Sequence, residues 1–178
     1  MTAKECITGR RSIRQFTGKP VSHELLAQIV STASYAPSWK NTQITRYIAV
    51  EGDLKAKLAQ CTDAYPKNGS IMENAPMVVA VAVVKGRCGF ERDGSYSTNR
   101  GDSWQMFDAG VASEAFCLAA HEQGLGTVIM GIFDNEAASK LLDIPDDMDL
   151  VTLIPIGYPA EAPTAPKRKA VEELLSYK

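Results

Sequence analysis

The sequence predicts a protein of mixed helices and strands with a buried strand at the centre of its sheet. Residues 77–84 (MVVAVAVV) are nearly all β-branched or small, which is typical of a strand covered on both faces. Residues 103–122 repeat apolar side chains at helical spacing and include several small residues, so they predict a long, largely buried helix and a candidate dimer core. Around these two segments, helical and extended patterns alternate irregularly. The 178 residues fit one domain over 1–178, or one protomer of an intertwined oligomer.

The elements before the central strand are predicted from helix caps and apolar spacing. A short first helix should close at Gly9, because glycine commonly ends helices. A second helix follows the N-cap Ser22 and must end before Pro37. Residues 47–50 then predict a strand, and residues 53–60 predict a helix.

The elements after the long helix are shorter and less regular. A glycine-framed apolar run covers 124–131, a helix is predicted at about 135–142, and a strand is predicted around 150–156. Two regions lack periodicity. Residues 88–101 predict a loop at a site, and residues 158–166 predict a strap across a surface.

Composition and charge exclude several classes of partner. The formal net charge is −2 and the isoelectric point is near 5.7, which argues against binding to nucleic acid. The chain has no uninterrupted apolar stretch of the length needed to span a membrane, and its first residues lack the apolar core of a signal peptide. We therefore expect a cytoplasmic protein with no membrane partner.

The spacing of the cysteines and histidines supports neither a metal site nor a side-chain catalytic site. The four cysteines lack a C-x-x-C pair and zinc-ligand spacing, so we interpret them as reduced, mostly structural thiols. His23 and His121 lie in predicted helices, where a satisfied structural role is expected. No nucleophile motif or spaced carboxylate pair stands out. If the protein is an enzyme, a cofactor should supply the difficult step.

Two basic segments near opposite ends of the chain predict an anion site. Residues 10–16 are RRSIRQF and residues 166–169 are PKRK. A guanidinium group can bind two phosphate oxygens at once, so several of them beside a hydroxyl suit a terminal phosphate monoester. The alternative is that both segments are solvated surface charges.

Two further segments offer groups for binding an aromatic ligand. Residues 36–43 (APSWKNTQ) carry amide and hydroxyl groups that suit a heterocycle edge or a sugar chain, although a connecting turn is the alternative. The glycines within 124–131 lack the G-x-G-x-x-G order of dinucleotide-binding loops. Gly131 would instead allow a flat ring to lie against the backbone and accept a hydrogen bond from an N–H.

Taken in order, these segments resemble the FMN-dependent nitroreductase family. The resemblance rests on residues 10–16, 36–43, 124–131 and 168–173 (RKAVEE), and it covers nearly the whole chain. It implies an α+β fold, with a central mixed or antiparallel sheet flanked by helices. It also implies an intertwined homodimer with one FMN at each end of the interface.

The resemblance also implies which residues bind FMN. The FMN phosphate and ribityl chain would be held by Arg10, Arg11, Ser12, Arg14, Arg168 and Lys169. The partner subunit would supply Pro37, Ser38, Trp39 and Asn41. Asn68 would contact the edge of the flavin ring, and Met130 and Gly131 would line one face, with a backbone N–H near Gly131 directed at N5. No catalytic acid or base and no metal is implied.

The activity implied is a ping-pong hydride transfer with NAD(P)H as co-substrate and a small acceptor such as a nitroaromatic or quinone. Larger members carry a helical excursion in the middle of the chain, where this sequence has only residues 88–101, so a more open site is expected. Three alternatives stay open. They are a flavoenzyme of the same fold that performs dehalogenation or ene reduction, a non-catalytic FMN-binding sensor or carrier, and a structural dimer with surface arginines.

Overall fold

The computed structural model describes residues 1–62 and 64–178. The helices are α1 (Ala3–Gly9), α2 (His23–Ala33), α3 (Gly52–Ala59), α4 (Pro66–Asn74), α5 (Ser103–Glu122), α6 (Asn135–Leu141) and α7 (Val171–Leu174). The strands are β1 (Thr45–Val50), β2 (Met77–Val84), β3 (Gly126–Thr127) and β4 (Met148–Gly157). In the described residues, no helix is both long and apolar enough to cross a bilayer.

The strands form an antiparallel sheet in the order β1-β2-β4-β3. The predicted central strand is β2, and Val79 lies opposite Ala49 of β1 and Ile154 of β4. Ser12 adds an isolated parallel bridge to Thr127 at the β3 edge. The predicted α+β fold with an antiparallel sheet is therefore confirmed, and the N-terminal segment makes this edge of the sheet mixed.

Apolar layers cover both faces of the sheet, which explains why β2 has no polar face. Successive side chains of a strand point to opposite faces. Met77, Val79 and Val81 pack with residues of α2 and α5 such as Ile29 and Phe116. The alternate residues of β2 pack against α3, α4 and α6 on the other face. Burial on both sides thus favours a continuous apolar run over an alternating one.

The long helix α5 has the predicted bounds and covers one face of the sheet. Phe116 is fully buried and stacks on Tyr47, with the ring centroids 5.3 Å apart. At its N-terminal end α5 leaves Met106 and Phe107 exposed, and 60% of Phe107 is accessible. A large apolar side chain exposed on an otherwise buried helix is consistent with a protein interface at this end.

The sequence patterns did not predict α4. Its first helical residue is Pro66, but Asn68, Gly69 and Ser70 are all weak helix formers. Tertiary packing requires the glycine, because a Cβ at Gly69 would lie 2.7 Å from Oγ1 of Thr62. The helix therefore forms because its backbone packs closely against the preceding segment.

Both irregular regions are tied to the rest of the protein. Within 88–101, the Ser97 N–H donates to the carbonyl of Gly89 at 2.9 Å, and Lys40 Nζ lies 3.0 Å from a carboxylate oxygen of Glu91. In the predicted strap, the Thr17 N–H donates to Tyr158 O at 2.8 Å. The strap thus crosses the segment that follows the N-terminal arginines.

Candidate functional site

The N-terminal arginine segment lies along the β3 edge of the sheet. Helix α1 ends at Gly9, and the following chain is extended. The Ile13 N–H donates to Thr127 O at 3.0 Å. A Cβ at Gly126 would lie only 2.5 Å from Cγ1 of Ile13, so glycine is required for this close approach. The backbone of the segment is therefore fixed before any ligand binds.

The three arginines of this segment have different surroundings. Arg10 is partly buried, with Nε 3.6 Å from a carboxylate oxygen of Glu114 and without a hydrogen bond among the described residues. Arg11 donates from Nη1 to the carbonyls of Thr8 and Arg10 at 2.7 and 2.8 Å. The side chain of Arg14 is exposed and, among the described residues, makes a single long contact of 3.4 Å from Nη1 to Ser12 O. Arg10 and Arg14 consequently keep most of their donors available.

One cavity beside this segment, the His121 cavity, has a volume of about 300 Å³. Arg10, Arg11, His121, Thr127 and Glu161 contribute to its wall. Burial, with the positive charges of Arg10 and Arg11, lowers the pKa of His121 below 6.5. The ring is therefore neutral at pH 7, and the two guanidinium groups give the cavity a surface that suits an anion.

A second cavity, the Arg14 cavity, has a volume of about 240 Å³ and lies beside the chain that follows β3. Arg14, Lys67, Asn68, Met130 and Gly131 contribute to its wall. The structure thus places four of the predicted site residues at one cavity, although they come from three distant parts of the sequence.

Polar groups at the Arg14 cavity are directed by the fold. Asn68 is 8% exposed, and its Nδ2 donates to Ile132 O at 2.9 Å. Met130 pairs with Leu153 through both backbone groups, at 2.9 and 3.1 Å, which fixes the chain just before Gly131. A Cβ at Gly131 would meet nothing within 4 Å, and within the described part of the chain its N–H has no acceptor. This N–H is consequently available to a ligand.

The predicted segment around Pro37 and Ser38 lies elsewhere in the single chain. Both residues line an apolar groove of about 330 Å³ between α2, β1 and α5. The Trp39 N–H donates at 2.9 Å to the buried carboxylate of Asp108 on α5. Asn41 has a positive φ of 55°, and its Oδ1 accepts a hydrogen bond from Gln43 Nε2 at 3.2 Å. The turn is therefore held in a defined conformation, but it does not line either arginine cavity.

The C-terminal basic residues are not joined to the N-terminal arginines within one chain. Arg168 and Lys169 are exposed and have no hydrogen bond or ion pair with the described residues. Their shared role with Arg10 and Arg14 stays a prediction.

Sequence reasoning did not identify Lys67, Glu161 or a site role for His121. Lys67 and Asn68 are neighbours on α4, the helix that the patterns did not predict. The imidazole of His121 was expected to be satisfied, but this ring has no hydrogen-bond partner among the described residues, and His121 lines a cavity. The position of His121 beside two arginines depends on the packing of α1 against α5. A local sequence pattern cannot predict this packing.

The buried cysteines are structural thiols, as expected. Burial raises the pKa of Cys88 to about 12, with a further contribution from Asp108, and burial raises the pKa of Cys117 to about 11. Both thiols are therefore protonated and unreactive at neutral pH.

The fold and its cavities define a class: α+β proteins with an antiparallel sheet between helices and cation-lined cavities at one sheet edge. The family model described as Nitroreductase family matches residues 7–64 and 60–158. The chain belongs to the nitroreductase family, which confirms the resemblance drawn from its motifs.

Individual relatives agree with this membership. A protein of Methanothermobacter thermautotrophicus named as an NADH dehydrogenase/NAD(P)H nitroreductase is 30% identical over 167 residues, which cover 92% of this chain and 80% of the relative. An FMN reductase [NAD(P)H] of Bacillus subtilis is 28% identical over 96% of this chain and 71% of its own. A nitroreductase from Desulfovibrio desulfuricans, solved in complex with FMN, superimposes with a TM-score of 0.77 and 28% identity over 98% of this chain and 96% of that one.

Proposed function

We propose that the protein is an NAD(P)H-dependent FMN oxidoreductase that reduces small acceptors such as nitroaromatics or quinones by a ping-pong mechanism. The observation that carries this proposal is the Arg14 cavity, where Arg14, Asn68, Met130 and Gly131 meet. Family membership supports it, as do relatives named for NAD(P)H and a solved relative that contains FMN.

The residues present fit FMN. Arg10 has a buried Nε without a hydrogen bond, and Arg10 and Arg11 border a cavity of suitable charge for a phosphate. Gly131 has open space where a side chain would stand, which suits the face of a flat ring. FMN, when bound, would accept a hydride from NAD(P)H and deliver it to an acceptor.

The residues of the protein would bind FMN and orient its ring. The free N–H of Gly131 would donate a hydrogen bond at the edge of the ring, near N5. Asn68 is held by its bond to Ile132, which leaves Oδ1 as an acceptor for a ring N–H. Ser12, Arg14 and Lys67 would supply donors along the ribityl chain and ring. We assign no catalytic acid or base.

We further propose that the protein works as a homodimer in which the partner subunit completes each site. In the single chain, Pro37 and Ser38 line a groove separate from the Arg14 cavity. Large apolar side chains are exposed on α5 and on the C-terminal segment, among them Phe107 at 60% and Leu174 at 70%. A second chain would cover these side chains and could bring Trp39 and Asn41 to the flavin.

The first test is an absorbance spectrum of the purified protein, followed by anaerobic addition of NADH and then NADPH. We expect the two visible-range bands of oxidised flavin, and bleaching by at least one nicotinamide cofactor. Colour should return when a nitroaromatic or quinone is added. Bands that persist would support a sensor or carrier, and a protein that stays colourless with added FMN would contradict the proposal.

A subunit-mixing experiment tests the shared site. Arg14→Ala and Asn41→Ala should each weaken FMN binding as homodimers. If the site combines Arg14 of one chain with Asn41 of its partner, a heterodimer of the two variants contains one fully intact site. Co-expression with two affinity tags isolates this heterodimer. Wild-type FMN affinity at half of its sites is expected, whereas its complete absence would contradict the shared site.

A further inference from the structure

We propose that Glu161 is a positioning residue for the FMN phosphate site, acting through the backbone of the arginine segment. This inference rests on the proposed function. It assigns a role to an acidic side chain that stands in the wall of a cavity otherwise suited to an anion.

The carboxylate of Glu161 binds the arginine segment at two consecutive backbone positions. Its Oε1 accepts hydrogen bonds from the N–H groups of Arg14 at 2.5 Å and Gln15 at 3.1 Å. Two N–H donors that converge on one carboxylate oxygen fix the local direction of the chain. The side chain of Arg14, in contrast, makes one long contact with the part of the chain that the structure describes. The direction in which Arg14 leaves the backbone therefore depends on Glu161.

Backbone pairing carries Glu161 to this position. The Ala160 N–H donates to Gln15 O at 2.9 Å, and Phe16 forms an isolated antiparallel bridge to Pro159. These contacts bring the strap onto the arginine segment. Arg168 lies two residues beyond the strap. Glu161 is therefore one of the points at which the chain that leads to the second basic segment is attached to the first.

Because Glu161 is negatively charged, its positioning of the arginine segment can be distinguished from its direct electrostatic effect on the phosphate. A negative charge in the wall of a phosphate site repels the phosphate, so its removal alone should strengthen FMN binding. Loss of the two backbone hydrogen bonds should weaken FMN binding, because the arginines would no longer be held in place. The two explanations thus predict opposite signs for a neutral substitution that cannot accept a hydrogen bond.

The test compares three substitutions by titrating the apoprotein with FMN and with riboflavin, which lacks the phosphate. Glu161→Ala removes charge and acceptor, Glu161→Gln removes the charge but keeps an acceptor of the same length, and Glu161→Asp keeps the charge but is one methylene too short. Glu172→Ala is the matched control, because Glu172 is exposed in α7 and has no hydrogen bond among the described residues. Hydrogen exchange at the amides of Arg14 and Gln15 is followed in each variant.

We expect Glu161→Ala and Glu161→Asp to weaken FMN binding about tenfold or more, the size expected for lost hydrogen bonds to a charged group. Riboflavin binding should fall less, and the two amides should exchange faster. Glu161→Gln should bind FMN at least as tightly as the wild-type protein, because it removes the repulsion but keeps the acceptor, and its two amides should exchange at a rate near that of the wild type. Glu172→Ala should stay near the wild-type protein in all three measurements.

Three results would overturn the positioning role. They are FMN affinity in Glu161→Ala that equals or exceeds the wild type, equal losses for FMN and riboflavin, and a loss in Glu161→Gln as large as that in Glu161→Ala. A wild-type protein that binds neither flavin would overturn the proposed function itself. The wild-type titration therefore distinguishes the two failures.

Discussion

The two basic segments of this protein have similar charge but different structural states. Residues 10–14 are fixed on the sheet, where Ile13 pairs with Thr127 and Glu161 holds the backbone of Arg14. Residues 167–169 are exposed, with no hydrogen bond to the described residues. Charge in the sequence therefore indicates where an anion could bind, whereas backbone pairing decides which of the charges is already in position.

This difference has an energetic consequence for ligand binding. Ordering the backbone of a free residue costs about 1–2 kcal/mol, and an exposed arginine side chain adds to that cost. The backbone of residues 10–14 is already ordered in the folded protein, so ligand binding does not add this cost. The segment at 167–169 must meet it when a ligand or a second chain binds, so its arginine should contribute less net binding free energy than Arg14.

The largest expected effect comes from detaching the fixed segment. In Gly126→Ala the new Cβ would lie 2.5 Å from Cγ1 of Ile13, so the arginine segment must move away from β3. We expect a loss of about 1–3 kcal/mol in the free energy of unfolding, as for other overpacked sites, together with strongly weakened FMN binding. Urea denaturation and FMN titration measure the two effects. Gly18→Ala is the control, because a Cβ there meets nothing within 4 Å; equal behaviour of the two variants would refute the close approach.

A smaller effect on FMN binding is expected when one arginine from each basic segment is replaced. Arg14→Ala should weaken FMN binding by about 2 kcal/mol, the cost of truncating a charge-assisted hydrogen bond, without altering the apoprotein fold. Arg168→Ala should weaken FMN binding by about 1 kcal/mol or less and mainly at low salt, because salt screens an exposed charge. FMN titrations at two ionic strengths check both values. If Arg168→Ala lost more FMN affinity than Arg14→Ala, the segment at 167–169 would become the better ordered of the two when FMN binds.

The smallest expected effect is on the pH dependence of the free energy of unfolding. Of the two basic segments, only the first should contribute to it. Because burial and the charges of Arg10 and Arg11 lower the pKa of His121, the folded protein binds fewer protons there than the unfolded chain. This contribution to stability is present above pH 6.5 and is lost as the pH falls towards the lowered pKa. We expect His121→Gln to reduce the fall in unfolding free energy between pH 7.5 and about 5, measured by urea denaturation.

A matched pair of variants sharpens the pH comparison. Arg11→Gln should also reduce the pH dependence, since it removes one of the charges that act on His121. Lys169→Gln should leave it unchanged, because Lys169 lies in the exposed segment. An equal change in both variants would mean that overall charge, rather than the local cavity, controls the effect.

Most regular elements could be predicted because their sequence patterns are local. The buried run of β2 and the small and apolar residues of α5 specify their own periods, and both have the predicted bounds. Helix α4 could not be predicted, because Asn68 and Gly69 disfavour a helix that tertiary packing stabilises. Met72 is buried in the layer against β2, and Gly69 lies close to Thr62. Within the run at 124–131, the strand β3 covers only Gly126–Thr127, and pairing with β4 continues as an isolated antiparallel bridge between Met130 and Leu153.

Some residues that line the candidate site could be named from the sequence, but their arrangement and the remaining wall residues could not. The family resemblance implied site roles for Arg14, Asn68, Met130 and Gly131, and the fold brings all four to one cavity. Lys67 and Glu161 carry no local signal, because a single charged residue in a helix or loop resembles any surface charge. The hydrogen bond that the Arg14 N–H donates to Glu161 joins residues 147 positions apart in the sequence.

By itself the sequence determined the order and type of the main elements, the family, and the charges available for binding an anion. These properties are encoded in short periodic patterns and in motifs whose residues are neighbours along the chain. Only the tertiary structure decided which arginines are fixed, which cavity each one borders, and that Glu161 joins the strap to the arginine segment. The physical reason is that such contacts form between distant residues, after burial of the sheet has brought their backbones together.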